Sequence, residues 1–235
     1  EVKDSERPDE KREKRTQEAF GCRCIQTDAA GYVNGWLLQS CTRCWSILFR
    51  RELIGDVRFP EELSIGEDLL FLSRLSAKLK KVLIRDRKSY CYYQNAEGAM
   101  LSGFRPSYLD QITCWELAEK ELSSFGLPAR ERLLLCRFQA ALLVAGKLAV
   151  ADGRTEAVSV RREKYLPRCL TAAKDTWRLL GRGGRRKLSA GYRIKGAMFL
   201  HAPMLYLRSY HVWKRKEMGK NTGKSVGGQR KDKEK

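Results

Sequence analysis

The sequence predicts a short α/β region with few strands, followed by a mainly α-helical, basic C-terminal region. Leucines recur at the spacing of one helix face between residues 69 and 79, and the apolar segment Lys81–Arg85 after them is typical of a strand. Beyond Gly103 the pattern changes to long helical segments. Apolar residues make up 43% of the 235-residue chain, which is enough for a packed core.

Helix and strand signals alternate in the first region. Residues 30–51 predict a helix and then a short strand. Ser64, which is followed three residues later by Glu67, fits a capping box at the start of a helix that extends to about Lys80. We expect strands at Ser46–Arg50, Lys81–Arg85 and Ser89–Tyr93.

Prolines and glycines divide the helical region. Pro106, Pro128 and Pro167 each suit the first turn of a helix. The glycine- and arginine-rich segment 181–186 predicts a flexible basic joint, and the helix after it is expected to kink at Pro203. The expected divisions are a charged flexible lead-in at 1–19, an α/β region at 20–104, a helical region at 105–185, a basic amphipathic helix at 186–218 and a disordered tail at 219–235.

Positive charge is concentrated in the last third of the chain. The formal net charge is +19, and residues 151–235 alone contribute +16. A basic surface of this kind favours an acidic partner such as phospholipid head groups, nucleic acid or phosphorylated substrates. No uncharged apolar run is long enough to predict a transmembrane helix.

The segment Tyr192–Lys216 interleaves aromatic and aliphatic residues with lysines and arginines. This mixture is typical of helices at an anionic membrane surface, because aromatic rings suit the head-group depth and cations attract acidic lipids. An ordinary terminal helix with a solvated basic face fits the same pattern. We expect lipid contact, and a cytoplasmic chain that is peripheral at the inner face of the plasma membrane.

The chain has eight cysteines, too few for a disulfide scaffold of this length, which indicates a reducing compartment. Cys22 and Cys24, together with Cys41 and Cys44, could supply four thiolates to a zinc ion, although Cys-x-Cys is not the usual partner spacing. Buried free thiols, which pack as small apolar residues, fit these cysteines better.

Two adjacent carboxylates, Glu67 and Asp68, lie where a helix is predicted to begin. Backbone N–H groups at a helix N-terminus favour negative charge there. A plain capping box with an acidic first turn accounts for this spacing by itself. The order of the neighbouring segments favours a functional role instead.

Four segments around this helix start occur in a specific order. They are Cys44-Trp-Ser-Ile-Leu-Phe-Arg-Arg-Glu-Leu53, Val57-Arg-Phe-Pro60, Ile65-Gly-Glu-Asp-Leu-Leu-Phe71 and Ser89-Tyr-Cys-Tyr-Tyr93. The order resembles the C-terminal half of family 2 glycosyltransferases with the GT-A fold, in the subfamily that makes bacterial surface polysaccharides or teichoic-acid-like polymers. The resemblance covers about residues 36–104 and implies that 20–104 is the acceptor-side part of a GT-A domain.

The resemblance implies inverting transfer of a sugar from a nucleotide-sugar donor to a hydroxyl of a glycan or lipid-linked acceptor. By the family's Glu-Asp motif, Asp68 would be the general base that takes the hydroxyl proton, and Glu67 would orient the acceptor or the base. Arg50 and Arg51 could face phosphates or simply pair with acids, and for surface arginines simple pairing is favoured. The residues that the resemblance implies for acceptor binding are Ser64, Gly66, Trp45 and Arg50.

Two motifs of the family's donor half do not occur in residues 1–60. One is a first strand ending in Pro-x-Tyr-Asn, and the other is the Asp-x-Asp that holds a divalent metal, Mg or Mn, on the leaving diphosphate. We therefore expect a fragment that lacks the nucleotide-sugar site and is inactive alone. The alternative is a non-enzymatic basic helical protein that binds nucleic acid or an anionic membrane surface.

Overall fold

The structure, a computed structural model, describes residues 24–39, 42–85, 90, 104–150 and 158–227, with side chains of the last segment described to Lys216. This part of the chain is mostly helical and contains one two-stranded antiparallel sheet. The helix-rich character predicted from the sequence is confirmed. Across these same ranges, no helix is long and apolar enough to cross a membrane.

Short elements surround one longer helix in the N-terminal part. In chain order they are β1 (Cys24–Thr27), α1 (Ala29–Tyr32) with a π-helical turn at Val33–Leu37, α2 (Arg51–Ile54), α3 (Glu67–Ser76) and β2 (Val82–Arg85). The strands pair antiparallel, with Cys24 opposite Arg85 and Thr27 opposite Val82. The sheet therefore brings the first and last of these elements together.

One predicted strand is confirmed and another is wrong. The strand predicted after residue 80 is present as β2. The segment Ser46–Arg50 forms no strand, because Ser46 has a φ of 70°, outside the extended range, and in the described residues the segment pairs with neither strand. Phe49 packs edge-on against Phe71 of α3, with ring centroids 5.9 Å apart. The third prediction, Ser89–Tyr93, lies outside the described residues except for Tyr90.

Helices form most of the remaining described chain. A 3-10 turn at Pro106–Leu109 leads into α4 (Asp110–Glu121), and another at Ser123–Phe125 leads into α5 (Gly126–Lys147). They are followed by α6 (Val158–Arg186), α7 (Ala190–His201) and α8 (Pro203–Gly227). Helix α8 thus continues past residue 218, where the sequence analysis places the end of the helix and the start of a disordered tail.

The prolines expected to start helices have different outcomes. Pro106 lies in a first turn, as predicted. Helix α5 begins at Gly126, shortly before Pro128. The prediction for Pro167 is wrong, since it lies inside α6, which begins at Val158. A proline inside a helix removes one backbone hydrogen bond, and the extensive packing of α6 against α5 offsets that loss.

Two predicted bends in the C-terminal part are present. Gly181 has a φ of 57°, in the left-handed region that glycine adopts readily, and it kinks α6 at the basic joint. The kink predicted at Pro203 is confirmed, because Ala202 is non-helical and separates α7 from α8. The single basic helix expected at 186–218 is therefore two helices.

The buried apolar residues form two clusters that meet along α4 and α5. The first packs α3 against the turn after α1 and includes the fully buried Leu70. The second is enclosed by α4 to α8 around Phe138 and Phe199. Helix α4 contributes Cys114 to the first cluster and Ile112 to the second. It therefore sets the position of α3 relative to the helical part.

Candidate functional site

Glu67 and Asp68 form the first turn of α3, and both side chains are half-buried. The predicted capping box is wrong, because the helix is preceded directly by Gly66 and no side chain caps it. Ser64 therefore does not close the helix start. The two carboxylates lie at the positive end of the helix dipole, where acidic side chains stabilise a helix.

Gly66 is held against α4 by Cys114. The Cys114 thiol donates a hydrogen bond of 2.8 Å to the Gly66 carbonyl oxygen. Gly66 has a φ of 93°, and a Cβ atom there would lie 2.7 Å from both Cβ and Sγ of Cys114. Glycine is thus required at this position by the backbone conformation and by the available space.

Asp68 is oriented by the loop that contains Cys44. The Cys44 backbone N–H donates a 3.2 Å hydrogen bond to Asp68 Oδ2, and Cys44 Sγ lies 3.8 Å from the Asp68 carbonyl oxygen. In the part of the chain that the structure describes, only Oδ2 of the two carboxylate oxygens accepts an N–H group. Oδ2 is therefore held in place by the backbone of the loop.

The same loop carries an exposed aromatic pair. Trp45 stacks on Tyr90, with ring centroids 4.9 Å apart and planes at 20°. The Arg43 guanidinium carbon lies 5.5 Å from the centre of the Trp45 ring. Ser46, the next residue, has a φ of 70°, a strained conformation for a residue other than glycine. Trp45 and Tyr90 are 36% and 51% exposed, so part of the aromatic pair reaches the surface next to the Arg43 cation.

Two thiols close to the carboxylates are protonated at neutral pH. Burial, the hydrogen bond with Asp68 and the charges of Asp68 and Glu67 raise the pKa of Cys44 to about 12. Burial raises the pKa of Cys114 to about 12 as well. A protonated thiol is a poor nucleophile and a poor metal ligand. At neutral pH neither thiol is therefore a strong nucleophile.

Two kinds of metal site were considered, a zinc site of four cysteines and the Mg or Mn site that the resemblance implies. Of the four cysteines considered for zinc, Cys22 and Cys41 lie outside the described residues, while Cys24 and Cys44 are free thiols. Within the described ranges, no three His, Cys, Asp or Glu side chains are grouped so that they could hold a metal ion. These residues do not fit the family's Mg or Mn site, and we derive no step through a metal.

Ser64 and Arg50 are not joined to the carboxylate pair. Ser64 is exposed, and its backbone N–H donates a 2.9 Å hydrogen bond to Oδ2 of Asp110 in α4. Arg50 is exposed and directly precedes α2. As far as the structure describes the chain, no hydrogen bond or ion pair links either residue to Glu67 or Asp68.

Three residues that shape this site were not predicted from the sequence as members of it. Asp110 and Cys114 lie 46 and 48 residues from Ser64 and Gly66, and no spacing in the sequence indicates these contacts. Tyr90 belongs to the aromatic segment Ser89–Tyr93, which was predicted as a strand. Its aromatic side chain is the one signal in the sequence that could have suggested a stacking partner for Trp45.

Comparison with known proteins adds no assignment. No protein-family model matches the chain, and no curated protein and no solved structure matches it. A functional proposal therefore depends on the ordered segments of the sequence and on the geometry around Asp68.

Proposed function

We propose that this chain is the acceptor-side part of an inverting glycosyltransferase similar to family 2, with Asp68 as the general base. The hydrogen bond from Cys44 to Asp68 is the observation that supports this function best. It joins the first and the third of the four ordered segments. Cys44 and Asp68 are 24 positions apart in the sequence. Segments that are brought together around one carboxylate fit a common site.

The proposed reaction uses the carboxylate of Asp68. As the acceptor hydroxyl attacks the anomeric carbon from the face opposite the leaving group, Asp68 takes its proton. The new C–O bond forms while the bond to the nucleoside diphosphate breaks, and the diphosphate leaves with the bonding electron pair. Glu67, one residue earlier on the same turn, orients the acceptor. Fixing Oδ2 through the Cys44 backbone keeps the base in position.

The Trp45–Tyr90 stack is suited to hold a sugar ring of the acceptor. Binding sites for small molecules combine apolar and aromatic surfaces with a few polar groups. Here the exposed rings supply the flat surface, and Arg43 supplies a hydrogen-bond donor next to it. The acceptor is a glycan or a lipid-linked glycan of a bacterial surface polymer. The nucleotide-sugar donor is assigned to a part of the enzyme other than the residues described.

The proposal is tested first by acceptor binding. Saturation-transfer NMR with oligosaccharides of bacterial surface polymers should show binding to this chain. Trp45→Ala should weaken that binding about fivefold or more, because the stacking surface is lost. Trp213→Ala is a matched control, since Trp213 is 49% exposed on α8 and is not part of the site. Equal affinities of the two variants would show that Trp45 does not bind the acceptor.

Turnover tests the role of Asp68. With the chain joined to a donor-binding half, transfer from a radiolabelled nucleotide-sugar is measured for wild type and Asp68→Asn. Loss of a general base lowers kcat by about a hundredfold or more. Asparagine keeps an oxygen that can accept the Cys44 N–H, so the fold of the site is retained. Unchanged turnover in Asp68→Asn would contradict the assignment of the base.

A further inference from the structure

One face of α8 is exposed and mixes apolar with basic residues. Its members follow each other at intervals of one, three or four residues along one side of the helix. A shallow, open depression of about 450 Å³ is lined by Arg208, Ser209, Val212, Trp213 and Lys216. Leu205 is 55% exposed, Val212 53% and Trp213 49%. The α8 face, as we call it, consists of Leu205, Arg208, Ser209, Val212, Trp213 and Lys216.

The opposite side of α8 is anchored to the helical core. Tyr206 is buried and its hydroxyl donates a 2.8 Å hydrogen bond to the Leu142 carbonyl oxygen of α5. Tyr210 lies so close to α5 that a Cβ atom at Gly146 would be 2.4 Å from its ring. The helix therefore has apolar residues on two sides. Since one side already packs on the core, the α8 face is not needed to attach the helix to the protein.

The sequence of α7 and of α8 up to Lys216 is basic, and the next residue of α8 is Glu217. No Asp or Glu occurs between Lys187 and Lys216. The ammonium group of Lys195 in α7 lies 5.7 Å from the centre of the Trp213 ring, and that of Lys214 lies 5.6 Å from it. The most exposed aromatic ring of this face thus has cations from two helices next to it.

We propose that the α8 face docks on an anionic phospholipid surface. Leu205 and Val212 would enter the boundary of the acyl chains, Trp213 would lie at head-group depth, and Arg208 and Lys216 would contact lipid phosphates. This docking does not depend on the proposed glycosyl transfer.

Other occupants account for fewer of these features. A second copy of the chain would bring two basic faces together, which is unfavourable because like charges repel. Nucleic acid would use the cations and could stack on Trp213, but it offers no apolar phase for Leu205 and Val212. An anionic lipid surface suits both the charge and the apolar residues.

The experiment is co-sedimentation of the full chain with phosphatidylcholine vesicles that either contain or lack phosphatidylglycerol. We expect binding to the anionic vesicles that weakens with salt, and much weaker binding to the neutral ones. Leu205→Ser/Val212→Ser should lower the partition coefficient about tenfold or more. The matched control is Val160→Ser/Leu179→Ser on α6, where the two residues are 44% and 48% exposed, and it should bind as wild type does.

A second pair of variants separates this face from net charge. Arg208→Gln/Lys216→Gln should weaken binding about fivefold for each charge removed. Lys174→Gln/Arg186→Gln removes the same charge from exposed positions of α6 and should weaken binding less. The proposal is overturned if wild type does not bind anionic vesicles or if the α8-face variants bind like their controls. Two further outcomes overturn it, each with vesicle binding unchanged by these substitutions. In the first, light scattering shows a dimer that the substitutions abolish. In the second, titration shows a complex with single-stranded RNA that the substitutions abolish.

Discussion

The backbone N–H of Cys44 donates a hydrogen bond of 3.2 Å to Oδ2 of Asp68, the second residue of α3. This contact fixes one carboxylate oxygen of the candidate base and places Trp45 in the loop beside it. The contact holds the loop that contains Cys44 to α3 through the side chain of Asp68, which is also the base in the proposed reaction. Stability and activity at Asp68 can therefore be separated by choosing the substitution.

Asp68→Ala removes the acceptor of the Cys44 N–H and should lower the free energy of unfolding by about 1–2 kcal/mol. Asp68→Asn keeps an acceptor oxygen and loses mainly the favourable charge at the helix N-terminus, so a decrease of about 0.5 kcal/mol is expected. Urea unfolding followed by circular dichroism measures both. Equal decreases for the two variants would mean that the Cys44 hydrogen bond contributes nothing to stability.

Gly66→Ala should be strongly destabilising, by about 2–3 kcal/mol, because the new Cβ meets Cys114 and the backbone has a positive φ. The control is Gly191→Ala in α7, where a Cβ meets no atom within 4 Å and φ is not positive. Alanine is the better helix former, so this control should leave stability unchanged or raise it. A Gly66→Ala protein as stable as the control would contradict the close approach of α3 to α4.

An ion-pair network connects α4, α5 and α6 through Glu116. Its carboxylate accepts hydrogen bonds from Arg137 at 2.9 Å and from Arg168 at 2.6 and 3.1 Å. Arg137 is only 13% exposed, so removing Glu116 leaves a partly buried charge with the longer 3.4 Å contact to Glu119. The hydrogen bonds that Arg168 donates to Glu116 also raise the pKa of Arg168.

Glu116→Ala should therefore lower the free energy of unfolding by about 2 kcal/mol. Glu163→Ala is the matched control, because Glu163 is exposed on α6 and the structure gives it no ion pair. Thermal unfolding of the two variants at the same ionic strength is the measurement. If the melting temperature falls no further in Glu116→Ala than in Glu163→Ala, the ion-pair network does not stabilise the protein.

Alkaline pH should destabilise the protein through its buried thiols. The pKa of Cys114 is raised by burial from 9.0 to about 12, so the folded protein keeps the proton that the unfolded chain loses above pH 9.0. The folded state then binds more protons than the unfolded state, and stability falls as pH rises between 9.0 and about 12. Below pH 9.0 the thiol is protonated in both states and has no such effect.

Urea unfolding midpoints measured between pH 8 and 11 would show this effect. This pH range is chosen because a thiol in the unfolded chain loses its proton at a pKa of about 8.5–9. Cys114→Ala removes one of the titrating thiols, so its midpoint should decrease less steeply with pH than that of wild type. Cys24→Ala is the control, because Cys24 is not buried. Identical pH dependence in wild type and Cys114→Ala would exclude Cys114 as a source of the alkaline instability.

Much of the local structure could be predicted because its causes are local. The amphipathic pattern after residue 67 predicts α3, although the helix ends at Ser76 rather than near Lys80. Pro106 and Pro203 lie at helix starts because a proline is tolerated there without losing a hydrogen bond. Pro167 shows the limit of this rule, since packing between α5 and α6 extends the helix on both sides of it.

The sequence by itself determined the acidic pair at a helix start, the ordered segments around it and the basic character of the last third of the chain. Only the tertiary structure decided that Cys44 contacts Asp68, and that Tyr206 is buried while Val212 is exposed. The physical reason is that helical periodicity identifies apolar faces but not their partners. Where a helix such as α8 has apolar residues on two sides, contacts with residues far away in the sequence determine which side is buried.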